Sequence, residues 1–179
     1  LRGDDHLANT PRQLLLLEVL GMPRPEYGHL PLVLAPDGRP LSKREGAVSV
    51  SDLHAQGYLP GAICNYLARL GHSCGDDHWL SSEQLPAHFD LARTSHSAAR
   101  FDEAQLRHWQ REAVMHSTDA EIDGWLGARL DRLGQGAERA AFVAAVKGNV
   151  LFPMEVDELV AVVSNDAVSL SPEATAQIV

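Results

Sequence analysis

With 179 residues, 45% of them hydrophobic, the chain is long enough for one medium domain or two small ones. A formal charge of −9 excludes a general polyanion binder, and no apolar run approaches the ~20 residues of a membrane span. Two cysteines, Cys64 and Cys74, exclude a disulfide framework and fit a reducing, cytoplasmic setting. The start, Leu1-Arg2-Gly3-Asp4-Asp5, carries no basic and apolar leader, so no secretory signal is expected. The charge is uneven. Residues 1 to 112 hold 11 Lys and Arg against 14 Asp and Glu, and residues 113 to 179 hold 4 against 10. Any RNA contact is therefore expected from local patches in the first part.

Taken in chain order, the opening reads as the end of a buried strand. Its exit carries Arg2, Asp4, Asp5 and His6, where open α/β sheets bind ligands. A metal site there is disfavoured, because adjacent strand residues point to opposite faces. Thr10 is expected to cap a helix with Pro11 at its first position and Gly21 just past its end. The four leucines Leu14 to Leu17 read as core. His29 to Ala35 reads as a short, fully buried strand leading into residues 36 to 47.

That stretch is a loop by composition. Pro36-Asp37-Gly38 is a turn with a mechanism, and Arg39, Lys43 and Arg44 surround the hydroxyl of Ser42. Glycine lets a backbone approach a ligand closely, and a lysine on a loop supplies a compact charge that follows redistributing phosphate charge. The loop is therefore read as anion-handling, for phosphate first of all.

Ser49 with Asp52 predicts a helix start. Pro60 opens the next helix, with Ile63, Leu67 and Leu70 on its apolar face, Cys64 buried beside them and Gly71 as the stop. Cys64, His72, Cys74 and His78 lack the tight paired spacing of zinc ligands, so no zinc is expected. Residues 79 to 89 contain a short helix capped by Ser81 or Ser82, with Pro86 near its end. Asp102 caps a longer one that carries Leu106 and Trp109 on one side and Arg107 and Arg111 on another. With Arg93 and Arg100 this arginine pair is the best basic patch. Residues 119 to 133, 136 to 147 and 156 to 163 predict three amphipathic helices, and Ser171-Pro172-Glu173 starts a last one.

Leu41-Ser42-Lys43-Arg44 resembles the second signature of class I aminoacyl-tRNA synthetases, K-M-S-K-S. The flanks narrow the resemblance to the glutamyl-tRNA synthetase family: residues 1 to 7, Asn9-Thr10-Pro11-Arg12-Gln13, His29-Leu30-Pro31-Leu32, Gly57-Tyr58-Leu59-Pro60 and residues 65 to 71 match in order and spacing. Pro40 stands where the first lysine of the pattern would be, which leaves more of the phosphate contact to Lys43.

The resemblance implies a mostly α fold with a small β portion. Residues 1–48 would be the end of a class I Rossmann-type catalytic domain. Residues 49–112 would be a stem-contact helical region, and 113–179 the start of a helical bundle of the anticodon-binding type. It further implies that Lys43 and Ser42 are catalytic and that Lys43, Leu41, Arg44 and His6 bind ATP. Arg2 and Asp4 would bind glutamate, and Arg93, Arg100, Arg107 and Arg111 would hold tRNA(Glu). ATP with Mg²⁺ is the expected co-substrate, with no zinc, DNA or membrane. The first signature, H-I-G-H, does not occur in these 179 residues, so the chain is expected to be the C-terminal part of a glutamate–tRNA ligase, inactive alone. A paralogue that glutamylates a modified tRNA base, and a non-catalytic tRNA- or protein-binding module, are the alternatives.

Overall fold

The computed structural model describes residues 1–39, 41, 49–75 and 77–164. β1 (Arg2–Gly3) pairs in parallel with β2 (His29–Leu30), with Arg2 opposite His29. The ladder ends there because Pro31 has no N–H to continue it. The expected strand from His29 to Ala35 is thus shorter, and residues 29 to 35 are half-buried. A 3₁₀ turn (Asp4–Asn9) feeds α1 (Thr10–Val19). Thr10 is the first helical residue and not its cap; its hydroxyl donates to the His6 carbonyl at 3.1 Å. The leucine core expected on α1 is half right: Leu14 and Leu17 are half-buried, whereas Leu15 and Leu16 are 63% and 62% exposed.

α2 (Val50–Ala55) starts with the expected capping box of Ser49 and Asp52. α3 (Pro60–Arg69) buries Ala62, Ile63, Asn65 and Tyr66. Leu67, expected on that face, lies outside it and is exposed. Cys64 is exposed too, and Cys74 is the buried cysteine. α4 (Leu85–His88) is a single turn with Pro86 at its start, not its end, and no serine cap. α5 (Glu103–His116) is capped by Asp102, whose carboxylate accepts from the N–H groups of Ala104 and Gln105.

α6 (Asp119–Leu126), α7 (Ala137–Val146) and α8 (Val156–Val163) complete the described chain. The helix expected to run from Asp119 to Leu133 changes to 3₁₀ geometry at Gly127, whose φ is 55°. The helix predicted from Ser171 lies outside the described residues. None of the described helices is long and apolar enough to cross a membrane.

Two apolar clusters hold these helices. One joins Leu53, Tyr58, Ala62, Ile63 and Tyr66 to Leu106, Trp109 and Ala113 of α5. The other joins Val114 of α5 to Ile122, Leu126, Leu130, Phe142, Val143, Val146, Val156 and Val160. α5 is therefore the spine that both share. Arg139 ties α7 back to α6: its Nε donates to Asp123 Oδ1 at 2.6 Å and its Nη2 to Oδ2 at 3.1 Å.

Between the clusters sits Gln110, wholly buried on α5. Its Oε1 accepts from Leu59 N–H at 2.9 Å, and its Nε2 donates to the carbonyls of Gly57 at 3.3 Å and Leu151 at 2.9 Å. The Gly57 carbonyl also accepts from Trp125 Nε1 at 2.9 Å. Gly57 itself has φ 94°, and a Cβ there would run into the ring of Pro153. Replacing Gln110 with leucine removes the acceptor of a buried N–H and a donor to two carbonyls at once. Gln110→Leu is expected to lower the unfolding free energy by about 2–4 kcal/mol. Urea unfolding followed by tryptophan fluorescence checks this, and a loss below about 0.5 kcal/mol would contradict it.

Candidate functional site

Arg2 is the centre of the N-terminal site. Its position in β1 sets it beside α1 and opposite β2 in register. Nε donates to His29 Nε2 at 3.3 Å and Nη1 to Gln13 Oε1 at 2.5 Å, while Nη2 donates to Thr10 Oγ1. The guanidinium also lies over the Tyr27 ring, 4.5 Å from its centroid. Three of the five guanidinium N–H groups are thus fixed, leaving one on each Nη nitrogen. That suits a carboxylate, which takes two parallel N–H donors from arginine.

Thr10, Gln13, Tyr27 and His29 were not legible as partners of Arg2. The available signal was the i, i+3 spacing of Thr10 and Gln13, which puts both on the face of α1 that meets the strands. Asp4 and His6 lie in the 3₁₀ turn, both exposed, and His6 pairs with Asp5 at 3.8 Å.

Residues 33 to 39 turn back as a hairpin that Leu41 extends. Leu41 N–H donates to the Val33 carbonyl at 3.2 Å and Ala35 N–H to the Arg39 carbonyl at 2.7 Å. The Asp37 carboxylate closes the turn, accepting from Arg39 N–H at 3.0 Å and Arg39 Nε at 2.7 Å. The first of these bonds, then the second, holds the Asp37 carboxyl below the usual carboxylate range. Leu41, a sequence candidate, is 38% exposed at the end of this hairpin. Ser42, Lys43 and Arg44 lie outside the described residues.

The other edge of the hairpin is held from a distance. Leu34 N–H donates to the Ala99 carbonyl and Phe101 N–H to the Leu34 carbonyl, both at 2.8 Å. The same strap, residues 93 to 101, is anchored at its other end to the exit of α3. There Ser95 N–H donates to Gly71 at 2.8 Å and Ser73 N–H to Arg93 at 3.3 Å. That end borders an open cleft of about 1170 Å³ lined by Arg69, His72, Arg93, Gln105, His108 and Trp109, among others. Arg69 stacks on Trp109 at 4.0 Å and is steadied by Asn65, whose Oδ1 accepts from Nη1 at 3.0 Å.

The four arginines of the basic patch occupy different settings. Arg93 borders the cleft and pairs with Asp90 at 3.7 Å. Arg100 sits in the strap opposite Leu34, with an Nη near Gly38 of the hairpin. Arg107 pairs with Glu103 at 3.2 Å and lies over Phe152. Arg111 shares a small pocket with Lys147 and Asn149. Arg69, which the sequence did not single out, is the cation set against an aromatic ring in the cleft. Among the described residues no three His, Cys, Asp or Glu side chains gather as a metal site would need.

These features define a class: a strand-and-helix unit ending in a turn closed by Asp37 and Arg39, followed by helices with an arginine–aromatic cleft. The family model for class I tRNA synthetases (E and Q), catalytic domain, matches residues 1–108. The chain belongs to this family. It is 51% identical over 154 residues to glutamate–tRNA ligase 2 of Acidithiobacillus ferrooxidans, covering 86% of this chain and 32% of that one. It is 43% identical over 176 residues to glutamate–tRNA ligase 1 of Methylococcus capsulatus, covering 98% of this chain and 38% of the relative. The chain thus spans about a third of the length of the curated relatives it matches. A crystal structure of a glutamate tRNA ligase from Elizabethkingia meningosepticum shares its fold, with a TM-score of 0.76 at 22% identity over 98% of this chain and 39% of that one.

At its far end the strap is pinned by Tyr66, whose hydroxyl accepts from Asp102 N–H at 2.8 Å while Phe101 packs edge-on against its ring at 5.6 Å. Burial pushes the Tyr66 phenol above its ordinary 10.0, and the neutral form is favoured in the fold. Stability contributed in this way is present below pH 10.0 and is lost as the pH rises through the folded value. Tyr66→Phe has no such titration but leaves Asp102 N–H without its acceptor. Its stability deficit is expected to be about 1 kcal/mol near pH 8 and to narrow towards pH 11. Urea unfolding across that range tests the sign, and a widening gap would contradict it.

Proposed function

We propose that this chain is part of a glutamate–tRNA ligase, which activates glutamate with ATP and Mg²⁺ and transfers it to tRNA(Glu) in the cytoplasm. The observation that carries this reading is the match of residues 1–108 to the family's catalytic domain, together with relatives of that printed name at 43–51% identity. Those relatives are about three times as long, so the activity is proposed for the protein that holds this segment together with the rest of such an enzyme. The division into residues 1–48, 49–112 and 113–179 belongs to the same proposal. In its support, the described part of residues 1–48 gives no buried apolar side chain to either cluster.

In this reading Lys43, with Ser42 beside it, neutralises the charge that grows on the triphosphate as the adenylate forms. Arg44, Leu41 and His6 complete the contact with ATP. Arg2 receives a carboxylate of glutamate, with Asp4 nearby; the fixed guanidinium and its two remaining N–H groups support that role. Such catalysis rests on positioning and charge stabilisation, and no covalent nucleophile is needed. Arg93, Arg100, Arg107 and Arg111 contact the tRNA backbone, which positions the molecule without reading its sequence.

A chimaera tests the assignment: this chain replaces the matching third of the Acidithiobacillus ferrooxidans relative. The chimaera is expected to charge tRNA(Glu), and Lys43→Ala to slow ATP–pyrophosphate exchange by about 10²–10³. An unchanged exchange rate in that variant would overturn the role given to Lys43.

A further inference from the structure

We infer that Gln13 is a positioning residue for the glutamate site, and that its neutrality is what the site needs: it fixes the Arg2 guanidinium and leaves the charge for the substrate's carboxylate. This role rests on the glutamate-binding reading of Arg2 and adds to it the residue that aims the guanidinium. The choice of partners carries it. Asp and Glu outnumber Lys and Arg by 24 to 15 in this chain. Other half-buried or packed cations meet carboxylates: Arg139 lies against Asp123 and Asp131, Arg107 against Glu103, and Lys147 against Asp119. Arg2 has a partner on each of its three nitrogens, yet none is a carboxylate. The acceptors are His29 Nε2, Gln13 Oε1 and Thr10 Oγ1, and the Tyr27 ring faces the guanidinium. Asp5, three residues on, pairs with His6 instead.

A carboxylate in any of these places would hold the guanidinium more strongly than a neutral acceptor does. It would also cancel the charge that an incoming carboxylate must find, and set two like charges against each other. Neutral acceptors orient the cation and do not compete for it. Gln13 is the member of the set where this can be separated from everything else. A guanidinium only donates, so the Gln13 atom 2.5 Å from Nη1 is its carbonyl oxygen. Glutamate at this position has the same length and offers a carboxylate oxygen at the same point. Gln13 is half-buried on α1, one turn after Thr10, and a helix holds such a group in place better than a loop. Thr10 is less separable, because its buried hydroxyl also meets the His6 carbonyl and the His29 ring.

The test places Gln13→Glu, Gln13→Met and Arg2→Gln in the chimaera with the Acidithiobacillus ferrooxidans relative. Isothermal titration calorimetry reads the dissociation constant for glutamate, and thermal unfolding reads the melting temperature. Gln13→Glu is expected to keep or raise the melting temperature, because it turns a neutral bond into a charged one. The same variant is expected to bind glutamate about 10–100-fold more weakly. Gln13→Met keeps the length and the neutrality but loses the acceptor, and is expected to weaken binding by about 3–10-fold. The KM for ATP in pyrophosphate exchange should stay as in the parent for both. A purely structural glutamine predicts the opposite order, with glutamate at least as good as the native residue and methionine the worse of the two. Gln13→Glu binding glutamate as tightly as the parent, or more tightly than Gln13→Met, therefore overturns the inference, as does a lowered melting temperature in Gln13→Glu. Arg2→Gln separates the two levels. If it binds glutamate as the parent does, the role given to Arg2 falls and takes that of Gln13 with it. If it loses glutamate while Gln13→Glu does not, the role of Gln13 falls alone.

Discussion

The carboxamide of Gln110 is the constraint on which the rest of the helical part depends. A side chain of one helix completes the hydrogen bonds of two irregular segments that would otherwise bury bare backbone: the Gly57–Leu59 turn and the Leu151 loop. Leaving such groups unpaired in an apolar interior costs more than the bonds themselves yield, so the arrangement works as a specification as much as a source of stability. It fixes where α3 starts, since Pro60 follows the turn directly. It also fixes the angle at which the second cluster meets the first, because Phe152, next to Leu151, packs edge-on against Tyr58. Gly57 completes the joint with a backbone angle that other residues rarely adopt, and its carbonyl also receives Trp125.

From that joint the geometry extends to the sites. α3 is placed by the Gln110 turn, and its exit at residues 71 to 73 holds one end of the strap. The strap's other end carries the hairpin at Leu34. The arginine–aromatic cleft and the base of the signature loop are thus fixed to the two ends of one nine-residue segment by backbone hydrogen bonds. Backbone pairing of this kind transmits position with little dependence on side chains. It explains how residues 33 to 39 can be held in a defined place without a core of their own.

Much of the helical part was legible in the sequence, because its signals are local. Ser49 with Asp52, Asp102 before its helix, and the valines of residues 156 to 163 each declare an element through caps or period alone. The signature residues were assigned by resemblance, and Ser42, Lys43 and Arg44 lie outside the described residues; the neighbours of Arg2 had no signal of that kind. The partners of Arg2 come from three elements whose approach no periodicity records. Leu67 and Cys64 were misplaced because the buried face of α3 follows Asn65, a polar residue fully satisfied by Leu80 and Gly61. An apolar count cannot see that a polar side chain points inward. For α1 the leucine run was read as core on every side, yet Leu15 and Leu16 are exposed and Leu14 and Leu17 are half-buried, because an apolar run does not say which side the rest of the fold meets.

The N-terminal portion is therefore held differently from the rest. Helices α2, α3 and α5 to α8 are fastened by two apolar clusters, whereas β1, α1 and β2 rely on the polar cluster around Arg2 and on the Leu34 ladder. Net contributions of about 1 kcal/mol per hydrogen bond cannot match clusters in which each large side chain contributes about 1.5–3 kcal/mol by burial. Opening of residues 1–39 must then be easier than opening of the helices. Arg2, Asp4 and His6 lie in that less stable part. A ligand bound at Arg2, whose partners come from β2, α1 and the segment between them, would raise the local stability of this part by its own binding free energy. Binding at Arg2 and ordering of the strands and helix around it are, on this physical ground, one equilibrium.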